Sequence, residues 1–346
     1  MELHLSIRDW AAHGHHKDCN YNSVTLHAVA GTADKEASLR SGMEAPAISL
    51  APLMEAQATC RNPGQDALYK LLSEQGYQKP SSRGEALRLL ERSGTDRFLG
   101  KSRWYQRQTR DQPAEEVVYQ GLMEAAGYSE NRGGFSRLSQ KAPYGHLSRL
   151  AETSSRTGLA TVEQYLLAAA GFGRPSPHSQ FLGSPMSSTS WRLFRVRPSN
   201  NPRRRIRGMA SLIVRYRDGM ITGLMRLVLQ ESGKTLEKGL MVDDPGGGPA
   251  LIGHSRASDM AINVVLPFLH GWGSETDNKS LQGAALNLFQ GWPSLQINSA
   301  ISSAEEALFP ERWLPLARGA RGQQGVLHLQ RLLRGEKAEA VDLSRV

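Results

Sequence analysis

Cysteine is almost missing from this chain. Cys19 and Cys60 are the only two among 346 residues and share no CxxC spacing, which excludes a disulfide framework and favours a reducing compartment, with both thiols packed as small apolar groups. Long apolar runs are missing too. The most apolar segments, MAINVVLPFL (260–269) and VEQYLLAAAGF (162–172), fall short of the ~20 residues that span a bilayer. No basic leader followed by an apolar stretch precedes the first strand, so the expectation is a soluble, cytoplasmic protein. The motifs of common hydrolases are also absent: there is no GxSxG, no HExxH and no Cys/His pair with an orienting partner. DDPGGGPALIGHS (243–255) lacks the GK[ST] ending of a phosphate loop, and no strand leads into it, so it reads as a flexible loop.

What the chain does have is basic charge. Its 42 Lys and Arg against 33 Asp and Glu leave a formal charge of +9, which suits a polyanionic partner such as DNA or RNA. The length accommodates two or three units of ~100–200 residues. At the start, Leu3, Leu5 and Ile7 alternate with Glu2, His4, Ser6 and Arg8, a period of two that predicts a strand with Glu2 and His4 on one face. After the turn-rich HGHHKDCNYNS, alternation resumes in VTLHAVA, with Val24, Leu26 and Ala28 opposite Thr25, His27 and Val29. APAISLAPL (45–53) predicts a third short strand, placed at an edge by Pro46 and Pro52.

From about residue 64 the pattern is helical. LLSEQGY (71–77), LMEAAGY (122–128) and LLAAAGF (166–172) each end in Gly and an aromatic, as expected where a helix stops on a left-handed Gly and the next residue folds back. That predicts Tyr77 against Leu72, Tyr128 against Met123 and Phe172 against Leu167. The resulting fold class is α+β: a β-rich region at 1–60, a helical region at 61–172, a linker or long loop at 173–190, and a mainly helical C-terminal region at 191–335, followed by a charged tail that frays.

Two constellations could carry chemistry. In the first, Glu2 and His4 precede Asp9, His13, His15, His16 and Asp18, the carboxylate and imidazole ligand types of Mg²⁺, Mn²⁺ or Zn²⁺. The spacing matches no established zinc motif, and solvated loop histidines are the bland alternative; Asp9, Trp10 and Tyr21 likewise read as a turn carboxylate, a core anchor and a strand-start aromatic. In the second, WRLFRVRPSNNPRRRIRGM (191–209), Arg192, Arg195, Arg197, Arg203, Arg204, Arg205 and Arg207 crowd around Trp191 and Phe194. Guanidinium forks suit phosphates and aromatics stack on bases, but arginines also pair with carboxylates and helix C-termini inside a fold. Arg103, Arg107 and Arg110 form a weaker stripe that a solvated helix face explains.

Four blocks, ELHLSIRDWAAHGHHKDCNYNSVTLHAV, YQGLMEAAGYSENRGGFSRLSQKAP, WRLFRVRPSNNPRRRI and HSRASDMAINVVLPFL, together resemble the bacterial family called domain of unknown function 2851, across nearly the whole chain. The resemblance implies no established activity. It does imply an upstream PDF-like block and a strand like GDVEIH, with whose VEIH the residues Met1, Glu2, Leu3 and His4 align, so the chain reads as N-terminally short. That pattern resembles the PD-(D/E)XK nuclease core, in which carboxylates hold Mg²⁺ or Mn²⁺ against the scissile phosphate. On this resemblance Glu2 is a catalytic metal ligand, His4 stands in the lysine's place, and Asp9, His13, His15 or Asp18 support the metal. Three functions stay open: a metal-dependent nuclease or its inactive relic, a noncatalytic nucleic-acid-binding protein, and a helical scaffold for a protein partner.

Overall fold

The computed structural model describes residues 4–33, 36–52, 65–152, 155–173, 184–296 and 299–334. Glu2, Cys60 and the whole of 174–183 lie outside the described residues. The chain divides into two compact units, Met1–Lys70 and Leu71–Val346.

The first unit is built from very short strands around a small aromatic core. Strand β1 (His27–Val29) pairs in parallel with β4 (Ala47–Ser49), and β2 (Ala37–Ser38) pairs antiparallel with β3 (Glu44–Ala45). The predicted first strand shrinks to a single parallel bridge, His4 to Val29. Beyond it the backbone turns into helix α1 (Asp9–Ala12), because Asp9 Oδ2 accepts hydrogen bonds from the amides of Leu5 (3.1 Å) and Ser6 (2.9 Å) and closes the turn. Leu5, read as an inward residue, is 77 % exposed. The face assignment of the second strand also inverts, since His27 and Val29 are buried and Leu26 is exposed. Trp10, Tyr21, Ala37, Leu39 and Ala45 form the core of this unit, so Trp10 is the anchor expected of it, whereas Cys19 is exposed rather than packed.

The second unit is helical, and its core draws on almost every helix. The long helix α2 (Arg83–Asp111) is capped at its start by Ser82, whose hydroxyl accepts from the Glu85 amide. It packs along α3 (Ala320–Leu333), where Gly94 and Gly325 face the partner backbone. A Cβ at Gly94 would come 2.0 Å from the Arg321 carbonyl oxygen, and one at Gly325 2.1 Å from that of Leu90, so only glycine permits this approach. The segment MAINVVLPFL is an unbroken buried run that widens into a π-helical turn over Ala261–Val265. Two of the three predicted helix stops hold. Gly76 and Gly171 have positive φ, with the amides of Tyr77 and Phe172 bonded back to Leu72 and Leu167. At the third, Gly127 stays right-handed and Tyr128 itself takes the positive φ of 53°. No helix among the described residues is long and apolar enough to cross a membrane.

Candidate functional site

The bridge at His4 is what assembles the site. His4 and Leu5 lie beside the end of β1, their carbonyls accepting from the amides of Ala30 (2.8 Å) and Gly31 (2.9 Å). Gly31 is required there, since a Cβ would sit 2.7 Å from the Leu5 carbonyl oxygen. The turn at Asp9 then carries the chain through α1 to His13, and Gly14, at φ 75°, reverses it so that His15 opens a short 3₁₀ turn. Residues 4, 13 and 15 thereby converge.

One nitrogen from each of His4, His13 and His15 lies within 4.8 Å of the others. His4 (3 % exposed) and His15 (6 %) are buried, and His13 is exposed, so the group opens to solvent on one side. His4 Nδ1 lies 2.7 Å from His27 Nε2, and His27 is itself buried. Trp10 backs the cluster, with its ring 4.9 Å from His27 and 5.2 Å from His15 and its Nε1 donating to the Ser38 carbonyl (2.8 Å). The Tyr21 ring lies against that of His15, with centres 4.1 Å apart and planes tilted by 33°. Burial, reinforced by the neighbouring His4 and His15, pushes the His27 imidazole below its ordinary pKa and favours its neutral form. The Ser6 amide above all, helped by that of Leu5 and by His4 and His13, holds the Asp9 carboxyl below the usual carboxylate range.

The expected ligands therefore separate. His4, His13 and His15 come together; Asp9 borders them electrostatically but spends Oδ2 on the turn; Asp18 caps the next turn, its Oδ1 accepting from the Asn20 amide and side chain at 2.9 Å each. His27 was missed because alternation placed it on the polar face of a half-exposed strand. The one available signal was that it lies in the same resemblance block as the other four histidines.

The arginine-rich segment separates differently. Arg205 is buried and donates to the Leu251 carbonyl (2.7 Å), the Tyr128 hydroxyl (2.7 Å) and Asn200 Oδ1 (3.0 Å). Arg204 pairs with Asp244 (2.8 Å), Arg207 with Glu163 (3.0 Å) and Arg192 with Glu130 (3.0 Å). Arg203 lies over Phe172, and Arg195 over the exposed Phe194. Arg192, Arg195, Arg197 and Arg203 remain on the surface. The strained Tyr128 ring has two guanidinium groups over it, those of Arg205 and Arg256, whose carbons are 4.9 and 3.2 Å from its centre; the sequence reading of Tyr128 as a helix stop gave no sign of this. Asp244 also anchors DDPGGGP, which is thus a tethered turn and not a loose loop.

A family model described as Protein of unknown function (DUF2851) matches residues 1–243. The chain belongs to the DUF2851 family. No curated protein matches it, and no solved structure does. The matched span of this DUF2851 chain contains the histidine cluster and the whole arginine segment.

Proposed function

We propose that this chain is a metal-dependent phosphodiesterase of nuclease type, whose centre is His4, His13 and His15, with a nucleic acid as substrate. The observation that carries the reading is the convergence of three imidazoles with one open side, the arrangement in which catalytic metal sites leave a position for water. Neutral imidazoles suit Zn²⁺ and also accept Mn²⁺, whereas Mg²⁺ prefers an all-oxygen shell, so of the two ions implied by the resemblance Mn²⁺ fits these donors better. A divalent ion held here supplies Lewis acidity and a water of lowered pKa. Glu2 stands two residues before His4 and is the carboxylate this reading assigns to the same ion, with Asp9 and Asp18 as outlying support. The net charge of +9 and the surface arginines 192, 195, 197 and 203 supply attraction for phosphates.

The test is plasmid and single-strand cleavage by the full chain with Mn²⁺, Zn²⁺ or Mg²⁺, against a chelator and against His13→Ala. Cleavage that needs metal and falls at least tenfold in His13→Ala supports the reading; no metal-dependent cleavage sinks it. One observation favours a noncatalytic second reading: Phe194 is 46 % exposed with Arg195 over its ring, a surface on which a base can stack. That reading expects salt-sensitive binding without turnover.

A further inference from the structure

We propose that His27 is the positioning residue of this metal centre: it holds His4 in the tautomer that coordinates through Nε2. The proposal rests on the metal reading above and goes beyond it, since sequence patterning gave His27 no role. The argument starts from the 2.7 Å separation between His4 Nδ1 and His27 Nε2. At that distance one nitrogen carries the hydrogen and the other presents its lone pair, because two N–H groups cannot face each other. A coordinating imidazole spends the lone pair of one nitrogen on the metal and carries its proton on the other, and an outer acceptor for that proton fixes which nitrogen binds. His27 Nε2 is that acceptor for His4 Nδ1–H, and its own proton then sits on Nδ1.

Two further observations suit His27 to this task. It is held rigidly: its amide donates to the Pro46 carbonyl (2.9 Å), its strand is in register with β4, and Trp10 lies against its ring. Where a carboxylate often takes this part in metalloproteins, the hydrogen bond from His4 Nδ1 here runs to His27, and Asp9 Oδ2 closes the turn through the Leu5 and Ser6 amides. His27 therefore acts through His4 and contributes no ligand of its own.

Co²⁺ serves as the probe, titrated into the full chain and followed by its visible absorption. His27→Leu should bind Co²⁺ 10–100-fold more weakly than wild type, and His27→Gln, whose amide oxygen can accept from Nδ1–H, should recover most of the loss. Unchanged affinity in His27→Leu, beside weakened binding in His13→Ala, overturns the positioning role and leaves the metal site standing. Wild-type affinity in His13→Ala, His4→Ala and His15→Ala alike removes the metal site, and this proposal with it. A readout that needs no variant is the long-range ¹H–¹⁵N spectrum of the Zn²⁺-loaded wild-type chain. His4 should be protonated at Nδ1 and metal-bound at Nε2; metal at Nδ1, or a metal-shifted nitrogen on His27, overturns the proposal.

Discussion

The histidine cluster and the arginine segment are both dense in one residue type, yet one gathers its side chains and the other scatters them. His4, His13, His15 and His27 lie with neighbouring ring centres 5.0–5.6 Å apart, whereas Arg192, Arg195, Arg203, Arg204, Arg205 and Arg207 are drawn to separate carboxylates, carbonyls and rings. The difference follows from charge. An imidazole sheds its proton near neutrality and can be buried beside its own kind, while a guanidinium stays charged and needs a counter-charge or an acceptor wherever it is buried. Arg205 is the sharpest case, and the largest effect is expected there. Arg205→Leu strands the Leu251 carbonyl and the Tyr128 hydroxyl and removes one of the two guanidinium groups over the Tyr128 ring. It should cost about 3 kcal/mol in urea unfolding; a loss under 1 kcal/mol would mean that these bonds are replaced by water.

Removing the exposed histidine of the cluster should act on metal and not on stability. His13 is exposed and caps only the end of α1, so His13→Ala should leave urea unfolding of the metal-free chain within about 0.5 kcal/mol of wild type. Zn²⁺ binding should weaken at least ~100-fold, since even outer partners of ligands are worth 10–100-fold. Urea titration checks the first and isothermal titration calorimetry the second. A smaller effect comes from the buried histidine of the helical unit. His328 bonds to the Tyr77 hydroxyl at 3.0 Å, and burial, aided by Arg97, pushes its pKa down to about 4. Its folded pKa lies below the unfolded value of about 6.5, so the neutral form is favoured by folding. Its contribution is fully present above pH 6.5 and is lost as pH falls toward 4. Between pH 7 and pH 5 the chain should lose about 2 kcal/mol through this group, and His328→Gln should lose correspondingly less over the same interval.

The same physics explains how much the sequence disclosed. Helices with a continuous apolar stripe were legible, as was the α+β division, because a 3.6-residue period survives whatever packs against it. The N-terminal strands were only partly so. Leu3, Leu5 and Ile7 alternate as in a strand, yet Asp9 bends the backbone after His4, and alternation cannot show which face of VTLHAVA meets a core that includes Trp10 and Tyr21. The metal-ligand types at positions 4, 13 and 15 were readable from composition. Their convergence depends on Gly14 and Gly31, and neither glycine advertises its geometry. The arginines left two readings open for the converse reason: Arg203, Arg204 and Arg205 are consecutive, but a helix aims them about 100° apart, one at a ring, one at Asp244 and one into the core, and spacing alone does not show which of them is paired.

The smallest expected effect sharpens that division within the arginines themselves. Arg197 is exposed, and only its carbonyl takes part in the local turn, accepting from the Asn200 amide at 2.7 Å. Arg197→Ala keeps that carbonyl and should change unfolding stability by less than about 0.5 kcal/mol. If the surface arginines contact phosphates, the same substitution should weaken single-stranded nucleic-acid binding uniformly across sequences and reduce the salt dependence by about one counterion. Arg204→Ala should do the reverse, lowering stability by releasing Asp244 and leaving the salt slope unchanged. Fluorescence anisotropy at several salt concentrations decides between them. Equal slopes for wild type and Arg197→Ala would remove Arg197 from any interface, and a shallower slope for Arg204→Ala would show that a paired arginine opens toward nucleic acid.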